Sequence, residues 1–247
     1  MKKRNELIAL LVDGDNAQAS LIKPIIEEVS KYGKVTIRRI YGDWTRSQMS
    51  SWKQVLNDTS FTPIQKFSYT SGKNSTDSAL IIDAMDILHS GMVDGFCIVS
   101  SDSDYTGLAK RVREEGMFVM GVGVKTTPTA FVQSCEVFTF VETITAEQTD
   151  LATEKKPAQS SAKPSSGKKP KVEADIISKA VDMSTNETDY ANIATLGWNL
   201  RKIDPSFDAR NFGYKTLTAL FSSLPDYEVG VIEVNGISQR VVKRKKK

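Results

Sequence analysis

Short apolar runs alternate with amphipathic helical patterns through roughly the first 140 residues of the chain. Runs such as LIALLV at 7–12 and GFCIVS at 95–100 have the length of buried strands, and each is followed by residues with helical apolar spacing. Strands that are separated by helices pair in parallel, and helices then cover both faces of the sheet. The alternation therefore predicts an α/β fold with a parallel sheet and right-handed crossovers.

The composition changes abruptly near residue 146. Residues 146–171 contain no aromatic side chain and no apolar periodicity, and they are rich in Ala, Ser, Pro and Lys, which is typical of a flexible linker. We predict four segments: an α/β domain at 1–145, a flexible basic linker at 146–171, a second domain at 172–243 and a basic tail at 244–247. The linker and the tail contain most of the excess positive charge, which favours a polyanionic partner.

Cellular location is constrained by two absences in the sequence. No apolar run approaches the roughly 18 residues that a membrane-spanning helix needs, and the first strand is too short and too soon interrupted by Asp13 to be a signal peptide. The two cysteines, Cys97 and Cys135, lie in strand-like surroundings and are expected to be buried free thiols. We therefore expect a cytoplasmic protein that does not enter a membrane.

Aspartates follow two of the predicted strands and precede a central helix. Asp13 ends the first strand, Asp77 lies in or before the first turn of the helix after TPIQKFS, and Asp102 and Asp104 follow GFCIVS. Ligands of open parallel sheets bind beyond the carboxyl ends of the strands, so these groups are expected at one rim. Clustered carboxylates repel one another and favour a hard divalent cation such as Mg²⁺ or Mn²⁺. Each aspartate taken alone is more simply explained as a helix cap, and the metal site is favoured only because four of them converge on one rim.

Several other chemistries lack the residues that they require. The single histidine, His89, excludes a nuclease that uses two histidines, and its place in the last turn of a helix favours a capping role. There is no GxSxG elbow and no phosphate-binding GxxxxGK[ST] loop. Two cysteines and one histidine cannot form a Cys/His zinc site.

Three motifs occur together over about residues 5–142: LLVDGDN, GKNSTDSALIIDAMDIL and CIVSSDSDYTGLAKRVREEGMFVMGVG. In combination they resemble the NYN domain family, within its LabA-like branch, a group of PIN-like metal-dependent ribonucleases. It implies a Rossmann-like sheet and cleavage of RNA that leaves a 5′ phosphate. It also implies that Mg²⁺ or Mn²⁺ is held by four ligands, Asp13, Asp77, Asp102 and Asp104. Asn16 and Ser101 would be supporting polar groups. Ser101 stands where many members of the family have glycine.

Basic residues near the expected rim are candidate substrate contacts. Lys73 precedes Asp77 by four positions, and Arg46 closes the segment RRIYGDWTR at 38–46, where arginines alternate with Tyr41 and Trp44. Alternating cations and aromatic rings suit single-stranded RNA, because phosphates contact the cations while bases stack on the rings. Packing of Trp44 against a helix explains the same segment equally well. Asp83, about 240° around the helix from Asp77, is interpreted as structural.

The second domain shows three helical patterns followed by a β-hairpin whose turn is Asn235-Gly236, the order of a winged helix. The segment ATLGWNLRKIDPSFDARNFGYKTLTALFSSLPDYEV resembles the OST-HTH (LOTUS) family, with a likeness over about 172–243. The resemblance implies RNA binding and, in some members, a protein partner. The candidate RNA contacts are Lys202, Arg210, Tyr214 and Lys215.

Three functions are compatible with these features. The first is a metal-dependent endoribonuclease with a carboxy-terminal RNA-binding module, which is favoured because all four acids are present. The second is a non-catalytic RNA-binding adaptor that keeps the same fold. The third, a phosphatase of the haloacid dehalogenase type with Asp13 as nucleophile, is disfavoured because Asn16 stands where that family has Thr or Val.

Overall fold

The computed structural model describes residues 6–67, 75–146, 173–185, 189–234 and 236–245. The chain divides into two compact units, Met1–Thr153 and Glu154–Lys247. Apart from residue 146, which is helical, the predicted linker lies outside the described residues, as do Lys73 and Asn235. No helix in the described ranges is both long and apolar enough to cross a lipid bilayer.

The first unit is a parallel α/β sheet, which confirms the predicted fold class. Its described strands and helices alternate along the chain: β1 Leu7–Asp13, α1 Ile22–Ser30, β2 Lys34–Gly42, α2 Ser50–Thr59, β3 Thr62–Gln65, α3 Ser75–Ser90, β4 Gly95–Val99, α4 Thr106–Glu114, β5 Phe118–Gly123, α5 Thr129–Ser134, β6 Val137–Phe140 and α6, described over 141–146. The strand order is β3-β2-β1-β4-β5-β6, and every neighbouring pair is parallel.

The strand order creates a crevice between β1 and β4. The chain builds outward from β1 through β2 to β3 and then returns to the other side of β1 to form β4. At such a switch point the connections leave the two strands in opposite directions, which opens a ligand crevice at their carboxyl ends. Val12 pairs with Val99 at this end, so Asp13 and the residues after β4 lie on the two sides of the crevice.

Helices pack on both faces of the sheet and form two separate cores. On one face α3 and α4 contribute a cluster around Leu80, Ala84 and Leu108, and on the other α1 and α2 contribute Ile25 and Trp52. The central strands face both cores, and Ile8 to Val12 of β1 are completely buried. Continuous burial explains why these strands read as unbroken apolar runs in the sequence.

The predicted RNA-stacking segment at 38–46 is largely structural, which corrects the interpretation of its aromatic residues. The Tyr41 ring is completely buried, and both its hydroxyl and the Arg39 guanidinium donate to Asp83 of α3. A ring buried beneath α3 cannot stack on a base. Trp44 is half-buried, and its indole N–H donates to the Ile64 carbonyl of β3 at 3.0 Å, so this contact is structural, but it is made to a strand and not to the helix that the sequence suggested. Asp83 has the structural role that the sequence indicated.

The second unit has the winged-helix order that the sequence predicted. Its described elements are α7 Ala174–Ser184, β7 Tyr190–Asn192, α8 Ile193–Ile203, α9 Leu217–Ser223, β8 Tyr227–Val234 and β9 Ile237–Arg244. The strands form an antiparallel sheet in the order β7-β9-β8. Apolar residues of the three helices, with Phe207 and Val242, form its core. Strand β7 was not predicted, because three residues of mixed polarity carry no periodic signal.

Gly14, which follows Asp13 directly, occupies a position where the backbone of β2 comes very close. Its N–H donates to the Tyr41 carbonyl at 2.8 Å. A Cβ atom at Gly14 would lie 2.8 Å from that carbonyl oxygen and 2.8 Å from Met49 Cε. The end of the flexible Met49 side chain can move aside, but the Tyr41 carbonyl is backbone, so a methyl group at Gly14 requires a shift of the loop that carries Asp13.

Gly14→Ala is therefore expected to lower the free energy of unfolding of the first unit by about 1–3 kcal/mol, the usual cost of overpacking. Gly107→Ala is the control, because a Cβ atom there meets nothing within 4 Å and lies in helix α4. The control is expected to be neutral or to stabilise by up to about 1 kcal/mol. Denaturant unfolding followed by circular dichroism measures both, and equal midpoints for the two variants would contradict the steric argument.

Candidate functional site

Three carboxylates converge beyond the carboxyl end of β4. Asp77 lies in the first turn of α3, and Asp102 and Asp104 lie in the loop and short 3₁₀ turn that follow β4. One carboxylate oxygen from each residue lies within 4.8 Å of the other two. We call Asp77, Asp102 and Asp104 the acidic trio. Two of its members are partly exposed and Asp104 is exposed, so the trio is accessible from solvent.

Asp13 lies in the crevice at the end of β1 and is not part of the acidic trio. It is completely buried, and one of its oxygens accepts hydrogen bonds from Asn16 Nδ2 at 2.6 Å and from Ser100 Oγ at 3.0 Å. Its other oxygen accepts from the backbone N–H of Asp15 at 3.2 Å. The contact with Asn16 is the one that the sequence indicated, whereas Ser100 was not singled out because a serine after a strand carries no distinctive signal.

Tyr105 connects the two parts of the site and was also missed at the sequence level. Its ring is completely buried, and its hydroxyl donates to Asp77 Oδ1 at 2.7 Å. Burial raises the pKa of Tyr105, and the nearby charge of Asp13 and a hydrogen bond to Asp77 raise it further. The phenol therefore stays protonated and acts as a donor. The available signal was a tyrosine directly after the SSDSD motif.

Negative charge accumulates in the crevice without full solvation. Burial raises the pKa of Asp13, and the neighbouring carboxylates of Asp77 and Asp15 add to the increase, although hydrogen bonds from Asn16 and Ser100 oppose it. Burial also raises the pKa of Asp77, the Tyr105 hydrogen bond lowers it, and the charges of Asp102 and Asp104 raise it again. An oxygen-only donor set with such repulsion suits a hard divalent cation. The residues present thus fit Mg²⁺ or Mn²⁺.

Two polar residues at the rim stabilise the loops rather than contact the acidic trio. Ser101 Oγ accepts from the Val124 backbone N–H at 3.0 Å, which ties the end of β4 to the end of β5. Asp15 accepts from Thr76 Oγ1 at 3.0 Å and from Gln48 Nε2 at 3.0 Å. The Asp15 contacts join the loop after β1 to the start of α3, immediately before Asp77. A direct supporting role for Ser101 in the site stays a prediction.

The predicted substrate contacts differ in their surroundings. Lys202, in the last turn of α8, is exposed, as are Lys215 and Arg46, and the Arg46 Nε lies 3.6 Å from Asp43 Oδ2. Arg210 instead donates through Nε and Nη2 to the carboxylate of Asp208, at 3.0 and 2.7 Å, and only 15% of its side chain is exposed. Burial would raise the pKa of Asp208, but the hydrogen bonds and charge of Arg210 outweigh it and lower the pKa. RNA contacts by these residues stay predictions.

Asp13→Asn is expected to stabilise the metal-free protein at pH 7. A carboxyl group whose pKa is raised by folding costs stability once the pH exceeds its pKa in the unfolded chain, and the amide removes that cost. We expect a higher melting temperature than that of the wild type in chelator at pH 7, and we expect the difference to disappear at a pH low enough to protonate Asp13 in both states. Thermal melting across pH measures this difference.

The control for this prediction is Asp86→Asn, an exposed position on α3, which is expected to leave the melting temperature unchanged. An Asp13→Asn protein that is less stable than the wild type at pH 7 would show instead that the hydrogen bonds from Asn16 and Ser100 outweigh the cost of burial.

Comparisons with known proteins give two domain families and two distant structures. Residues 7–142 match the NYN domain, and residues 168–238 match the OST-HTH/LOTUS domain. The crystal structure of a protein of unknown function from Vibrio parahaemolyticus is similar at 19% identity and a TM-score of 0.48, over 57% of this chain and 96% of that chain. The solution structure of an uncharacterized protein from Nitrosomonas europaea matches at 23% identity and a TM-score of 0.30, over 37% of this chain and 93% of that chain. No curated protein gives a significant match.

These domains give the function at a coarse level. NYN domains are typically nucleases of the PIN-like class, which generally use divalent metals, and OST-HTH/LOTUS domains bind RNA. Together with the acidic trio they support a role in RNA binding and cleavage. With more than half of its length matched by the first of these domains, and with the parallel sheet and the acidic residues in place, the chain belongs to the NYN domain family.

Proposed function

We propose that the protein is a metal-dependent endoribonuclease that hydrolyses phosphodiester bonds in single-stranded RNA and holds its substrate partly through the carboxy-terminal domain. The observation that carries this proposal is the convergence of Asp77, Asp102 and Asp104, whose carboxylate oxygens lie within 4.8 Å of one another beside the β1–β4 crevice. With a divalent cation bound between them, these oxygens at the rim of the sheet would suit a substrate whose reacting group is a phosphate.

Asp77, Asp102, Asp104 and Asp13 are the residues that would hold Mg²⁺ or Mn²⁺. When bound, the cation would offset the charge of the scissile phosphate and favour ionisation of an attacking water. The carboxylate of Asp13 is held in place by hydrogen bonds from Asn16 and Ser100. Asn16 and Ser101 are the supporting polar groups of this proposal.

The protein's own side chains orient the site before substrate arrives. Thr76 donates to Asp15 and Tyr105 donates to Asp77, so the first turn of α3 is fixed on both sides of the crevice. The partial exposure of the trio admits a flexible strand, whose phosphates reach the rim without unwinding of a duplex. Hydrolysis with departure of the 3′ oxygen leaves the phosphate on the 5′ end of the downstream fragment.

RNA binding outside the acidic trio is assigned to exposed lysine and arginine side chains. We propose that Lys202, Lys215 and Arg46 contact phosphates, that Lys73 guides the strand, and that Arg210 contributes only if it exchanges its contact with Asp208. The basic linker at 146–171, which joins the domains at 1–145 and 172–243, and the basic tail at 244–247 add further positive charge that attracts RNA. The free, buried thiols of Cys97 and Cys135 support action in the reducing cytoplasm.

One observation favours the alternative of a non-catalytic adaptor. Asp13 is completely buried and lies outside the acidic trio, so only three of the four expected ligands are gathered. A three-carboxylate site with weak metal affinity on an RNA-binding protein describes such an adaptor. In that case the carboxy-terminal domain, which in some relatives contacts proteins, would recruit the partner that acts on the RNA.

The decisive experiment compares wild-type protein with Asp102→Asn and Asp86→Asn. Labelled single-stranded RNA is incubated with Mn²⁺, Mg²⁺ or chelator, and the fragments and their 5′ ends are analysed over time. Asp102→Asn removes a carboxylate of the trio and is expected to lower the cleavage rate by about 100-fold or more. Asp86→Asn, which alters an exposed aspartate of the same domain, is expected to cleave like the wild type.

Binding without cleavage by the wild type in every metal would favour the adaptor. Cleavage that persists in chelator or in Asp102→Asn would contradict the metal centre.

A further inference from the structure

Tyr105 is the buried side chain that joins the two segments from which the acidic trio is built. It ends the 3₁₀ turn Ser103–Tyr105, directly after Asp104, and its ring packs in the core with the Phe131 ring at a centroid distance of 6.3 Å. Its hydroxyl donates to Asp77 Oδ1 at 2.7 Å. The loop after β4 therefore holds the side chain from α3 through this hydrogen bond.

A buried ring restricts where the hydroxyl can lie. Tyr105 is 0% exposed, so its two side-chain torsions are fixed by packing in the core that α3 and α4 form on one face of the sheet. Asp77, by contrast, is partly exposed and lies in the first turn of its helix, where the carboxylate has several accessible rotamers. The Tyr105 hydrogen bond selects the rotamer that faces Asp102 and Asp104.

We propose that Tyr105 is a positioning residue of the metal centre: its hydroxyl holds Asp77 in the orientation in which the acidic trio binds a divalent cation. This inference rests on the proposed metal-dependent function. Groups that hydrogen-bond to metal ligands typically contribute 10- to 100-fold to metal affinity, because an unsupported ligand must be ordered when the metal binds. Tyr105→Phe removes only the oxygen atom and leaves the ring to fill the core.

A second aspartate of α3 provides a matched control. Tyr41 is also 0% exposed, and its hydroxyl also donates to an aspartate of α3, Asp83. Asp83 is outside the acidic trio and is already paired with Arg39. Tyr41→Phe thus removes the same atom from the same kind of bond without a contact to the site.

The experiment measures Mn²⁺ binding to the full-length protein by isothermal titration calorimetry in the absence of RNA, with thermal melting in chelator as the measure of folding. Tyr105→Phe is expected to weaken Mn²⁺ binding by about tenfold or more. Tyr41→Phe is expected to bind Mn²⁺ like the wild type, even if its melting temperature falls as far as that of Tyr105→Phe.

Equal Mn²⁺ affinity in Tyr105→Phe and the wild type would overturn the positioning role and leave the metal centre standing. An equal loss in both tyrosine variants would also overturn it, because the effect would then be one of general stability. A wild type that binds no Mn²⁺ would overturn the metal centre itself, and the role of Tyr105 with it.

A separate observation concerns the surface of α8 in the second unit. Trp198, in the middle of this helix, is 56% exposed, which is unusual for the largest aromatic side chain. Thr195 and Lys202 are exposed at helical spacing on either side of it. The helix contains two basic residues, Arg201 and Lys202, and no acidic residue. We call Thr195, Trp198 and Lys202 the α8 face.

We infer that the α8 face binds single-stranded RNA, with a base stacked on Trp198 and a phosphate near Lys202. The absence of acidic residues along α8 favours a polyanion over a protein partner, and a flat exposed indole offers a base a stacking surface. This inference deepens the proposed RNA-binding role and rests on it. It adds an aromatic contact to the lysine that the sequence predicted.

The test uses full-length Trp198→Ala, Trp198→Phe and Met183→Ala. Met183, in α7 of the same unit, is 55% exposed and serves as the control for loss of an exposed apolar side chain. Each protein is titrated in chelator with a fluorescent single-stranded RNA and with an abasic ribose-phosphate chain of the same length. The abasic chain has no bases to stack on the indole, so a loss of stacking at Trp198 is expected to weaken binding of the RNA alone.

Trp198→Ala is expected to weaken RNA binding by about fivefold or more, the usual contribution of one stacked base, and to leave binding of the abasic chain unchanged. Trp198→Phe should retain most of the RNA affinity, and Met183→Ala all of it. If Trp198→Ala binds RNA as tightly as the wild type, the inference is overturned. The same holds if the substitution changes the oligomeric state of the protein and leaves its RNA affinity unchanged. A wild type that binds no RNA would overturn the RNA-binding role as well.

Discussion

The buried carboxylate of Asp13 is the constraint on which the site depends. Charge without solvation is costly, and here it is compensated by two side-chain donors, Asn16 and Ser100, which come from opposite sides of the β1–β4 crevice. The compensation is incomplete, since burial still raises the pKa of Asp13. A fold that keeps such a group carries a local destabilisation, which a bound cation would offset. The arrangement is typical of sites where stability has been exchanged for binding.

Helix α3 is the element that converts the sheet into a site. Three of its residues are tied to three different segments: Thr76 to Asp15 after β1, Asp77 to Tyr105 after β4, and Asp83 to Arg39 and Tyr41 of β2. The first two contacts lie in the first turn and the third lies about two turns along the helix. The helix is thereby fixed in both position and rotation, which a single contact would not achieve.

Much of this architecture was predictable because it depends on local patterns. Buried strands give continuous apolar runs, and the carboxyl ends of parallel strands meet at one rim, so the fold and the grouping of Asp77, Asp102 and Asp104 followed. The depth of Asp13 and the contacts of Ser100 and Tyr105 did not, because they depend on which side of a strand faces the crevice. Tyr41 was misjudged for the same reason: alternating arginines and aromatic rings look alike whether the ring lies on the surface or under a helix.

The long separation of the site's parts along the chain has a consequence for synthesis on the ribosome. The bond from Ser100 to Asp13 spans 87 residues, and the bond from Thr76 to Asp15 spans 61. The crevice therefore exists only after β4 has emerged and inserted beside β1, when most of the first unit has been translated. Until then the carboxylates that line it are separate along the chain. A growing polypeptide of this design gathers them only when the sheet closes between β1 and β4.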